Sequence, residues 1–216
     1  MSLITLSKIG NHTQIVIWRM DEDFPLLKDL TASSDEEKLK ISTLTEKQQR
    51  ERFSALYVIQ SLTGKKYYKD VHGKPYLEDS KSAISVSHSH NFLAVSVSEH
   101  LVGIDIQYQT PRLKKIAVRV MNEEKLSQLD ASDELLHLHI YWGAKEALFK
   151  AYGEHGLHFK NNILIKPFLK LPDNPHVLQK VTTGTVSKND YLKNFQIFFQ
   201  LINDYVLIVA LENSAS

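Results

Sequence analysis

The 216 residues carry 26 Lys and Arg against 25 Asp and Glu, a formal charge of +1, and 43% of them are apolar. This composition excludes a disordered tail and leaves no whole-molecule field for steering onto nucleic acid or an anionic membrane, so any anion binding must be local. The absence of cysteine excludes a disulfide framework, a thiolate metal site and a cysteine nucleophile, and it fits a reducing compartment.

The opening MSLITLSKIGN has no basic segment leading into a long apolar core, and no run of about 18 apolar residues follows anywhere, so a soluble cytoplasmic protein is expected. TQIVIWRM (13–20), rich in β-branched residues, reads as a buried strand that Asp21, Glu22, Asp23 and Pro25 break. SSDEEKLKISTL starts a charged helical region with Ser and Asp at its cap, and TEKQQRERFSALYVIQSLTG reads as a long amphipathic helix stopping at Gly64. GKKYYKDVHGKPYL, with Lys65, Lys66, Lys69 and Lys74 against Asp70 alone, reads as a cationic loop holding a Gly-Lys-Pro turn. AISVSHS and NFLAVSVSEH alternate as two strands joined near Asn91, and LVGIDIQ is a third apolar run. Pro111 opens a second helical region through LKKIAVRVMNEEKLSQL, and a polar loop at residues 130–133 leads into the helix WGAKEALFKAYG (142–153). Residues 157–193 suggest only loops and short strands, and FQIFFQLI with DYVLIVALEN reads as a closing hairpin.

A faint repeat underlies this order. RFSALYVIQSLTG (52–64) and YWGAKEALFKAYG (141–153) are helix ends of equal length stopping at glycine, each followed later by a similar strand, NFLAVSVSE or DYVLIVALE, and each half starts from a strand, IVIW or VGID. The expected fold is α+β, with two similar lobes related by a pseudo-twofold repeat, residues 1–101 and 102–216, each an antiparallel sheet packed with a long helix. The doubled lobes suggest a monomer with one site at their junction.

The lobes differ in charge. Stepping 100° per residue puts Ile140, Tyr141, Ala144, Ala147, Leu148, Ala151 and Tyr152 on one apolar arc that Lys145 interrupts, leaving Glu146 and Lys150 on a narrow strip beside Gly143. An i,i+4 ion pair worth ~0.3 kcal/mol would explain Glu146 and Lys150 alone. The first-lobe helix, however, has Leu56, Tyr57 and Ser61 at the positions of Lys145, Glu146 and Lys150, so packing does not require charge there. Asp105 closes the apolar run LVGID, where a carboxylate needs a partner, a cap or a cation. With Glu146 it could hold Mg²⁺, a hard cation that completes its shell with water and phosphate, while Lys145 and Lys150 neutralise a diphosphate. In strand register Ile84, Val86 and His88 share one face of ISVSHSH and Ser85, Ser87 and Ser89 the other. His88 reads either as a satisfied core residue or, beside Gly73, Lys74 and Pro75, as a phosphate contact.

GIDIQ followed by WGAKEALFK resembles the paired signature of the 4′-phosphopantetheinyl transferases, and GKPYL and SVSHS are similar to two further motifs of their larger, two-lobed, pseudo-dimeric class. The resemblance implies Mg²⁺-dependent transfer of phosphopantetheine from coenzyme A to a serine of an apo acyl or peptidyl carrier protein. By position it makes Asp105, Gln107 and Glu146 metal ligands, and Glu146 and Lys150 catalytic, with Lys150 on the diphosphate and Lys145 an accessory charge. It implies that Gly73, Lys74, Pro75, Ser87 and His88 line the adenosine and 3′-phosphate end of coenzyme A, joined by Arg50 or Arg52. Gln107 stands where many members have an acid, so it offers one neutral oxygen and no base, and deprotonation of the serine falls to Glu146 or a metal-bound water. Gly143 stands where Ser or Thr is frequent. Two other readings remain: a non-catalytic relative that binds coenzyme A or a carrier protein, and an interaction module whose charged helix makes only salt bridges. Arg112, Lys114, Lys115 and Arg119 form a candidate docking face for an acidic carrier helix, or merely a solvated one. Neither nucleic acid nor membrane is an expected partner.

Overall fold

The computed structural model describes residues 3–21, 24–31, 34–71, 73–115, 134–168 and 170–213. The chain divides into two compact units, residues 1–99 and 100–216. Both are antiparallel sheets accompanied by helix, so the fold is α+β.

In the first unit β1 (Leu3–Ile9) and β2 (Thr13–Arg19) form a hairpin, followed by α1 (Phe24–Leu30), α2 (Asp35–Ser42) and α3 (Glu46–Thr63). The strands β3 (Tyr67–Lys69), β4 (Pro75–Leu77), β5 (Ala83–Ser89) and β6 (Phe92–Ser98) complete a sheet in the order β1-β2-β6-β5-β4-β3. The ends of α3 are written locally. Thr45 and Gln48 exchange side-chain and backbone hydrogen bonds as a capping box, and Gly64 ends the helix in the left-handed region at φ 66°. Phe53, Leu56, Val58 and Ile59 of α3 pack with Val16, Trp18, Ile84, Leu93 and Val95 of the sheet, and each fully buried aliphatic side chain contributes about 1.5–3 kcal/mol.

In the second unit β7 (Val102–Tyr108), β8 (Ile163–Ile165), β9 (Gln179–Lys188), β10 (Tyr191–Ile202) and β11 (Tyr205–Glu212) form a sheet in the order β7-β11-β10-β9-β8. The 19-residue helix α4 (Glu134–Tyr152) packs Tyr141, Ala144, Ala147, Leu148 and Ala151 into a core with Ile163, Val186, Phe195, Ile197, Val206 and Ile208. The repeat seen in the sequence reappears in the pairing. The IVIW strand lies antiparallel to β6, with Trp18 opposite Leu93, and the VGID strand lies antiparallel to β11, with Ile104 opposite Val209.

Several elements differ from expectation. β1 is an additional strand, and its exposed Leu3, Ile4 and Leu6 gave no clean alternation to read. α1 begins at Phe24 with Pro25 in its first turn, where proline is tolerated because that N–H has no helical partner. The Lys-rich segment is a β3–β4 hairpin rather than a loop, its strands only three residues long. β9 has ten residues and β10 twelve, so regular structure fills much of 157–193. The expected helix after Pro111 is helical at residues 113–115, and its remainder, with Arg119 and the loop at 130–133, lies outside the described residues.

Backbone contact between β7 and α4 determines the spacing of the second unit. A Cβ at Gly103 would stand 1.8 Å from the carbonyl oxygen of Ala147 and 2.9 Å from the backbone nitrogen of Ala151, and backbone atoms cannot swing aside. Gly103→Ala should therefore lower the stability of the second unit by about 3 kcal/mol or more, read from denaturant unfolding monitored at Trp142.

Candidate active site

Asp105 is the fourth residue of β7 and is buried. It faces α4 rather than the opposite side of the sheet, because Lys150 donates from Nζ to its Oδ1 at 2.9 Å. The same ammonium donates to the carbonyl of Ile104 at 3.1 Å, which steers Lys150 towards the strand. Glu146, one turn before Lys150, is half-buried. Burial pushes its carboxyl above the usual carboxylate range and the nearby charge of Asp105 raises it further, while Lys150 opposes both. Two carboxylates 41 residues apart in sequence, and one ammonium, thus share one electrostatic neighbourhood.

Lys145 behaves differently. It is buried, and its ammonium is bound to the carbonyls of Phe159 and of Ile163, the latter at 2.7 Å. A cation on the apolar arc is bound there by two backbone oxygens of the segment entering β8.

Gln107 is held at both ends of its amide by one residue. Its Nε2 donates to the backbone carbonyl of His139 at 2.9 Å, and its Oε1 lies 3.1 Å from His139 Nδ1. The backbone N–H of Thr110 donates to His139 Nε2 at 2.9 Å, so that nitrogen is an acceptor and Nδ1 carries the proton. Burial holds the imidazole below its ordinary value, against the upward pull of the Asp105 charge. His139 escaped the sequence reading. The signal was present, since His139, Gly143, Glu146 and Lys150 follow the i, i+4, i+7, i+11 spacing of one helical stripe. Gly143 lies in that stripe because a Cβ there would stand 2.7 Å from Gln107 Nε2 and 3.4 Å from Asp105 Oδ2.

The first unit holds a separate cationic group. A cavity of about 260 Å³ is lined by Gln48, Glu51, Arg52, Tyr67, Lys69 and His88, among others. His88 reaches it from β5, with Nδ1 3.2 Å from Glu51 Oε1, and Arg52 lies 4.4 Å above the Tyr67 ring while pairing with Glu37 at 2.8 Å. Ser87, the next residue on β5, is buried and does not line this cavity, as strand alternation requires. Arg50 is directed elsewhere. It donates to the carbonyl of Met20 at 3.4 Å and lines a different cavity with Glu46, Lys47 and His90. Gly73, Lys74 and Pro75 form the β3–β4 turn. Gly73 takes φ 82°, the N–H of Lys74 donates to Asp70 Oδ1 at 2.9 Å, and the ammonium of Lys74 lies 5.8 Å over the Tyr76 ring.

The candidate docking face is partly neutralised, since Lys114 pairs with Glu134. Among the described residues no three His, Asp or Glu side chains converge as a metal cage, and no helix is long and apolar enough to cross a membrane. The two carboxylates alone suit a hard cation that takes its remaining oxygens from water and phosphate, and Glu146, raised by burial and by like charge, is the kind of group such a cation relieves.

A comparison with curated proteins gives no match. The model of the 4′-phosphopantetheinyl transferase superfamily matches residues 101–210, from the residue before β7 into β11. That span carries Asp105, Gln107, Glu146 and Lys150 and leaves the first unit's motifs outside it. With more than half of its length under that match, and the signature aspartate and glutamate sharing one neighbourhood, the chain belongs to the 4′-phosphopantetheinyl transferase superfamily.

Proposed function

We propose that this protein transfers 4′-phosphopantetheine from coenzyme A to a serine of an apo acyl or peptidyl carrier protein with the help of Mg²⁺. The observation that carries the proposal is the grouping of Asp105, Glu146 and Lys150 by β7 and α4 within the family match. Asp105 and Glu146 would hold the ion, which when bound supplies Lewis acidity at the diphosphate. Glu146 takes the proton from the serine hydroxyl. The serine oxygen bonds to the phosphorus that bears pantetheine, the bridging P–O bond breaks, and adenosine 3′,5′-bisphosphate leaves with the electron pair. Lys150, already beside Asp105, is within reach of charge developing on the leaving phosphate. In the first unit the cavity with Arg52, Lys69 and His88 is suited to a phosphomonoester such as the 3′-phosphate of coenzyme A, and it favours Arg52 over Arg50 for that contact. The position of Ser87 on the opposite face of β5 makes its part in this contact indirect.

Incubation with coenzyme A, Mg²⁺ and an apo carrier protein should add the mass of a phosphopantetheine arm to the carrier. Asp105→Asn and Glu146→Gln should each lower the rate by roughly a hundredfold or more, and near-parental turnover in either would refute the assignment. Stabilisation by coenzyme A against heating, without any mass gain, would instead identify a non-catalytic binder.

The raised carboxyl gives a test independent of turnover. Folded Glu146 binds its proton more readily than the unfolded chain does, so the stability associated with this group is present below pH 4.5 and is lost as pH rises through the folded value. Without divalent cations Glu146→Gln should therefore melt at a higher temperature than the parent near about pH 7.5, with the gap closing towards acid. Mg²⁺ should raise the parent's midpoint more than the variant's, as followed by scanning calorimetry.

Kinetics with varied coenzyme A should separate the two arginines. Arg52→Ala should raise KM about tenfold, equivalent to one charge-assisted contact, and Arg50→Ala less than about threefold.

A further inference from the structure

We infer that Gln107 and His139 form a neutral clamp that ties β7 to α4 beside the carboxylate pair and withholds position 107 from any cation bound there, leaving Asp105 and Glu146 as the protein's two ligands. The inference rests on the proposed cation site and specifies its ligand set. Geometry carries it. Thr110 donates its backbone N–H to His139 Nε2, so the imidazole proton sits on Nδ1 and is directed at Gln107 Oε1. Gln107 returns a hydrogen bond from Nε2 to the backbone carbonyl of the same histidine. His139 is fully buried, so an amide that swung away to offer its oxygen to a cation would strand a buried imidazole N–H.

The surroundings fit the clamp. A Cβ at position 143 would come within 2.7 Å of Gln107 Nε2 and 2.8 Å of Ile208 Cγ1, so glycine one turn after His139 makes the room that the amide occupies. Glutamate at position 107 could not do the same work. It has no donor for the His139 carbonyl, and it would add a third negative charge two residues from Asp105. Gln107, His139 and Gly143 therefore act as one positioning unit that sets the strand bearing Asp105 against the helix bearing Glu146.

Calorimetric titration of the full chain with Mn²⁺, without coenzyme A, tests this. Gln107→Met and His139→Phe should shift the Mn²⁺ Kd by the same factor within about twofold, and the double variant should shift it no further, the signature of one shared interaction. A loss in Gln107→Met at least about tenfold beyond that of His139→Phe would show position 107 to be a ligand and overturn the clamp. If either variant does not fold, the ¹⁵N resonances of the His139 imidazole in the parent decide. They should keep the pattern of a protonated Nδ1 and an unprotonated, accepting Nε2 when Mg²⁺ is added, and loss of that pattern would overturn the inference. Absence of Mn²⁺ binding in the parent would withdraw the cation site and the clamp together. Binding that survives in the parent but is weakened in Asp105→Asn and Glu146→Gln would isolate the clamp as the point under test.

Discussion

The closeness of α4 to β7 is the constraint on which the second unit depends. At Gly103 the helix backbone touches the strand where any side chain would stand, and at Gly143 the helix makes the same concession to the strand's side chains. A strand and helix in such contact can place side chains on a shared seam without long reaches. Asp105 and Gln107, two residues apart on one face of β7, consequently meet the stripe of His139, Glu146 and Lys150 on α4. The glycine of the VGID motif is thus a spacing residue, and the aspartate two positions later depends on the spacing it creates.

Within that seam, burial sorts identical residue types into different tasks. Lys145 and Lys150 leave the same helix five residues apart, yet one ammonium is satisfied by the carbonyls of Phe159 and Ile163 and the other by the Asp105 carboxylate. The first is structural glue for the entry to β8. The second is charge compensation for a buried acid, without which Asp105 would be costly to place in an apolar strand. Glu146 stays strained by comparison, its carboxyl raised by burial and by the like charge of Asp105. The apolar part of this helix tolerates its two lysines because each ammonium is paired with oxygens of the surrounding chain.

The first unit builds its cationic group by other means. Arg52 lies over the Tyr67 ring, and His88 projects from a strand whose alternate residues turn inward. Arg50 follows Glu46 by one helical turn and lines a cavity with it, whereas Arg52, two residues on, faces Glu37, Tyr67 and Lys69. Two positions along a helix rotate a side chain by about 200°, enough to move it from one cavity to another.

Much of this could be read from the chain. The 3.6-residue periodicity of α3 and α4, the Ser and Asp cap before α2, the terminating glycines and the alternation of β5 and β6 are local signals, because caps, helical faces and pleats are set by neighbours within a few residues. The α+β architecture followed from them, while the family resemblance rested on the residues of GIDIQ, WGAKEALFK, GKPYL and SVSHS. The short β3 and β4 and the outer strand β1 were not legible, since three-residue strands and half-exposed edges carry too little pattern. Nor was the direction of any polar group. Whether Lys145 served an anion or a pair of carbonyls, whether Gln107 faced a cation or His139, and which arginine shared a cavity with His88 were decided by partners 14 to 36 residues away. A side chain's type is fixed by its codon, but its hydrogen-bond partners are chosen only when distant segments are packed against it.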